Sequence, residues 1–158
     1  MATAPLLDDP VAAVAAQAAR TIGATGTADA LVVGLARRRE PEVVVAILDA
    51  MGRSKRPESV AAINDIAAAL AAQPPPGGVP GDVTVAIEAA LLALDCRRPP
   101  DTFLSYLSSD DSELAFAALE RLITLSGSNC GLDPSAPPAQ RTAALATARD
   151  ALLARCKK

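Results

Sequence analysis

The placement of thirteen prolines constrains this 158-residue chain more than any other feature. A proline inside a helix costs about 3 kcal/mol, so scattered prolines would forbid a helical protein. Here they cluster. Pro10, Pro41, Pro57 and Pro100 each stand at a first helical position, where the missing N–H is not needed. Pro74, Pro75, Pro76 and Pro80 share one linker, and Pro134, Pro137 and Pro138 share a second. The windows between them are rich in Ala, Leu, Glu and Arg, the composition of punctuated helices.

Apolar residues inside those windows step by three and four, as one buried helix face requires. The expected stripes are Val11, Val14, Ala15, Ala18 and Ile22; Ala28, Leu31, Val32 and Leu35; Val44, Ile47, Leu48 and Met51; Val60, Ile63, Ala67 and Leu70. Four more follow: Val83, Ile87, Leu91 and Leu94; Phe103, Leu104 and Leu107; Leu114, Ala118, Leu122 and Leu125; Ala144, Ala148, Ala151 and Leu152. Asp9-Pro10, Glu40-Pro41, Thr27 before Ala28, and Asp110 three residues before Glu113 are the start signals. Val43–Val45 and Val83–Val85 are β-branched runs too short to compete as strands. Eight helices and an all-α chain are expected.

The helices alternate between two kinds and group into four antiparallel pairs, at about residues 9–38, 40–73, 82–108 and 110–157, within one domain spanning 1–158. A Pro/Gly linker occupies 73–81 and a long loop 126–138. Aligning the pairs on Pro10, Pro41, Asp82 and Asp111 gives offsets of 31, 41 and 29, the outlier containing the linker. Helix pairs repeating at about 30 residues mark an α-solenoid. Close stacking of such pairs needs small facing residues, which explains 36 alanines.

Asp9-Pro10-Val11, Ala18-Ala19-Arg20-Thr21-Ile22-Gly23, Leu31 to Leu35, Glu40-Pro41-Glu42-Val43 and Ala50-Met51-Gly52 together resemble the bacterial HEAT-like repeat of the PBS-lyase type. The resemblance covers residues 6–72 and is weaker over 82–126. It implies a right-handed α-α superhelix and a non-catalytic scaffold that binds another protein, or the rest of a longer parent chain, through a helix face. Chromophore lyases and base-excision glycosylases also belong to such folds, but this chain lacks the aromatics their pockets need, with Phe103, Tyr106 and Phe116 the whole supply.

The chain has no histidine, which excludes a histidine-based triad or an imidazole-ligated metal. No cofactor, metal or catalytic residue is expected. The net charge of −3 supplies no field toward nucleic acid, and no apolar run is long enough to span a membrane. Gly23-Ala-Thr-Gly26 reads as a helix C-cap and turn, not a phosphate cradle. Asp8-Asp9 and Asp110-Asp111 read as helix caps.

The basic residues are the candidate partner-binding groups: Arg37, Arg38 and Arg39 close one helix, Arg53, Lys55 and Arg56 share one turn, and Arg97 and Arg98 the next, with Tyr106 nearby in sequence. A basic edge formed by Arg53, Lys55, Arg56, Arg97 and Arg98 makes nucleic acid or another anion the alternative partner. Cations at helix C-termini are the simpler explanation of the same residues. Arg38→Glu is accordingly expected to leave the fold intact. Three cysteines, an odd count without a CxxC, favour a reducing cytoplasm; an exported form would bridge two of Cys96, Cys130 and Cys156. Leu6 and Leu7 stand where a preceding second helix would end, so Val11, Val14 and Ala15 are expected to be partly uncovered, and either upstream repeats in a longer parent or self-association through this end is anticipated.

Overall fold

In the computed structural model, residues 4–25 and 28–155 are described. Among them are a short 3-10 helix, Ala4–Asp8, and eight α-helices: α1 (Ala12–Thr25), α2 (Ala28–Arg37), α3 (Pro41–Ser54), α4 (Ser59–Ala72), α5 (Gly81–Leu94), α6 (Asp101–Leu107), α7 (Ser112–Ser126) and α8 (Pro138–Ala154). No strand occurs among the described residues, and both β-branched runs lie inside helices. The chain is all-α. It divides into two compact units, Met1–Asp95 and Cys96–Lys158, and the boundary separates α5 from α6, which the sequence reading groups as one pair.

The punctuation acts largely as its chemistry dictates. Pro41 and Pro138 open α3 and α8, where a fixed φ and a missing donor are harmless. Pro10, expected to be helical, lies two residues before α1, and the Asp9 carboxylate accepts from Val11 N–H at 2.8 Å to turn the chain into it. The cap of α7 is Asp111, not Asp110: its carboxylate accepts from the Glu113 and Leu114 amides. The Thr27 cap and Gly26 lie outside the described residues.

In the first unit, α1 packs on α3 and α3 on α5, while α2 packs on α4, as successive helices of a repeat do. Helix α3 sits within this layer, and Val43, Val44, Ala46, Ile47, Leu48, Ala50, Met51 and Gly52 are all buried. At the start of α1, Val11 and Val14 are exposed, as expected at this end, and Ala15, Ala16, Ala18, Ala19 and Ile22 form the buried face. The expectation that Ala15 is partly uncovered is corrected: it has no exposed surface. In the second unit α6, α7 and α8 pack on one another around Phe103, Leu107, Leu122 and Leu152.

Gly23 is not a C-cap, since α1 continues to Thr25. It is the point of closest approach to α3: a Cβ there would lie 2.7 Å from Ala50 Cβ and 2.9 Å from Ala50 Cα. Gly52 repeats the device one helix along, with Ala90 Cα 3.3 Å from its would-be Cβ. The two sites respond differently to one methyl group. Gly23→Ala gains about 1 kcal/mol of helix propensity but forces two backbones apart, for a net loss of about 1–3 kcal/mol. Gly52→Ala is near neutral, because a shift of a few tenths of an ångström suffices. Urea unfolding at unchanged slope measures both.

Candidate interaction surface

The three arginines closing α2 go to different work. Arg38 is buried, only 8% exposed. Its Nη1 donates to the Leu7 carbonyl at 3.2 Å and the Asp9 carbonyl at 2.7 Å, and its Nε to Glu40 Oε2 at 3.1 Å. Its Nη2 lies 3.0 Å from Glu40 Oε1 as an ion pair outside hydrogen-bond geometry. Arg38 therefore ties the end of the 3-10 helix to α2, and the expectation that Arg38→Glu is harmless is reversed. Arg37, exposed, pairs with Asp8 across 3.3 Å. Arg39 turns back on its own helix end, donating to the Arg38 and Leu35 carbonyls. The second unit repeats the clamp: Arg141, 5% exposed, donates to the Ser109 carbonyl at 3.1 Å and faces Asp110 Oδ1 at 3.6 Å, just ahead of α7.

Glu40 completes the first clamp. Its own backbone N–H and then that of Arg39 hold its carboxyl below the usual glutamate range; desolvation opposes them, and the Arg38 guanidinium adds a smaller lowering. A lowered folded value means the unfolded chain takes up the proton more readily. The stabilisation is thus present above the ordinary glutamate value and lost as pH falls through the folded one. The stability gap between the wild type and Glu40→Gln at neutral pH is expected to close over that acid window. Chemical denaturation at stepped pH reads it.

Between the 3-10 helix and α2 lies an open groove of about 470 Å³, lined by Pro5, Leu7, Asp8, Asp29, Ala30, Val33, Gly34 and Arg37. Gly34 lets the two segments approach, since a Cβ there would meet Leu7 Cδ1 at 3.2 Å and Ile47 Cδ1 at 3.3 Å. Leu7 forms the buried floor, and Val33 stands 48% exposed at the groove. Leu6 on the 3-10 helix, Val11 just before α1 and Val14 in its first turn are also exposed. The groove is thus apolar, with two carboxylates against one already paired guanidinium.

The other basic candidates are placed as follows. Arg53, Lys55 and Arg56 are exposed around the C-terminus of α3, where Lys55 takes a left-handed cap (φ 54°) and Arg56 pairs with Glu58 at 3.6 Å. Arg97, exposed, and Arg98, half-buried, belong to the second unit, as does half-buried Tyr106. Cys96 is disulfide-bonded, Cys130 is a free thiol, and Cys156 lies outside the described residues. Among the described residues no cluster of three metal-ligating side chains occurs, and no helix is long and apolar enough to cross a membrane.

Sequence reasoning missed Val33, Phe116 and Ile123 as surface residues, although each falls off the apolar stripe assigned to its helix. Arg141 carried no such signal. No protein-family model, curated protein or solved structure matches the chain.

Proposed function

We propose that the chain is a non-catalytic protein-interaction module of the HEAT-like kind, binding another protein at the groove between the 3-10 helix and α2. The observation that carries the reading is the outward placement of Val33 in a groove whose floor is the buried Leu7, on a 3-10 helix held by the Arg38 clamp. An exposed large apolar side chain over an apolar floor is the kind of surface a partner covers. An anionic partner is disfavoured there because the groove's one cation, Arg37, is already paired with Asp8, Asp29 adds a further negative charge, and Arg38 is consumed within the fold. The disulfide at Cys96 supports the exported alternative over a reducing cytoplasm. Thiol counting on the protein from its native compartment, denatured without reductant, reads that choice: one free thiol fits export, three fit the cytoplasm.

The test of binding is capture from an extract of the source cells. The wild-type chain is expected to retain a protein through a high-salt wash, and Val33→Lys to lose it at unchanged circular dichroism. Capture that survives this change sinks the groove. Retention of nucleic acid that salt removes favours the anionic alternative instead.

A further inference from the structure

Helix α7 carries a second outward apolar stripe, in the other unit. Its inner face is set by Ala115, Ala118 and Leu122, all buried. Turned away from that face, Phe116 is 51% and Ile123 44% exposed, with Leu119 half-buried on the flank between them and the core. A spacing of seven residues puts Phe116 and Ile123 on one line about 10 Å long. Two of the chain's three aromatics, Phe103 and Tyr106, are buried or half-buried, so the exposure of Phe116 is not a property of the composition. The exposed charges of α7 itself have one sign. Glu113 and Glu120 are exposed, one turn before and one turn after Phe116. The helix's single cation, Arg121, is half-buried and donates to the Ala117 carbonyl at 3.1 Å.

We propose that the Phe116–Ile123 face of α7 docks an amphipathic helix of a partner protein, one whose apolar stripe is flanked by Lys or Arg. A straight line of side chains on a helix accepts the ridge of another helix, and Glu113 and Glu120 then pair with cations along its edge. Opposite charge at that edge selects against acidic helices of equal hydrophobicity. The proposal shares the protein-binding class of the reading above but uses a different unit and different residues.

The probe is a labelled synthetic peptide with leucines at helical spacing flanked by lysines, and a twin flanked by glutamates, titrated by anisotropy onto the full chain. The lysine peptide is expected to bind at least about tenfold tighter than its twin, a difference that Glu113→Lys with Glu120→Lys reverses. Phe116→Ala with Ile123→Ala should weaken it at least about tenfold with the helical spectrum retained. Val33→Lys should leave it unchanged, which separates this surface from the groove of the first unit. Equal binding of both peptides, no binding, or indifference to the double alanine change overturns the proposal. Self-association of the wild type that Phe116→Ser abolishes also overturns it, assigning the face to a second copy.

Discussion

A Leu48→Asp chain is expected to lose the cooperative unfolding of its first unit altogether. Leu48 has no exposed surface and lies in α3, the helix that packs on both α1 and α5. A carboxylate there must either ionise without water or hold a proton at neutral pH, and it also forfeits the packing of a full leucine. Such changes cost on the order of 4–5 kcal/mol or more, close to the whole stability of an ordinary small domain. Val33→Asp, on a half-exposed position of α2, is the matched control and should shift stability by less than about 1 kcal/mol. Thermal melting followed by circular dichroism compares the two. A folded Leu48→Asp protein would place the interior of the layer elsewhere.

Arg38→Glu carries the second large effect. The substitution removes donors from the Leu7 and Asp9 carbonyls and sets a carboxylate beside them and beside Glu40. A hydrogen bond to a charged group contributes about 1.5–3 kcal/mol, and leaving buried acceptors unpaired adds to the loss. A destabilisation on the order of 3 kcal/mol is expected, with faster proteolysis before α1. Arg38→Met keeps part of the packing along the stem and should lose less. Equal stability of the wild type and Arg38→Glu in urea would mean that the clamp is not formed in solution.

Helix positions were legible because proline chemistry is local: a residue without an N–H must sit at a helix start or in a linker, whatever surrounds it. The buried stripes of α3, α5 and α6 were legible for a similar reason, since their larger apolar residues recur at one period. What the pattern could not convey depends on neighbours distant in sequence. Gly23 reads as a helix end until Ala50 is known to lie against it. Arg38 looks like a C-terminal cation until the Leu7 and Asp9 carbonyls are found at its guanidinium, 31 and 29 residues away in sequence. Ala15 neighbours the exposed Val14, yet it is fully buried, and the period alone does not divide the two. Phe116 and Ile123 were visible as residues off their stripe, but periodicity alone does not say whether such residues are covered.

Amide hydrogen exchange resolved along the first unit tests the central claim most directly, namely that α3 anchors a layered core whose rim bears the groove. The amides of Val44–Met51 should exchange slowest, through global unfolding alone, while those of Ala68–Ala72, on the largely exposed last turn of α4, exchange orders of magnitude faster. Exchange of α3 as fast as that last turn would contradict the layered core and, with it, the surface it supports.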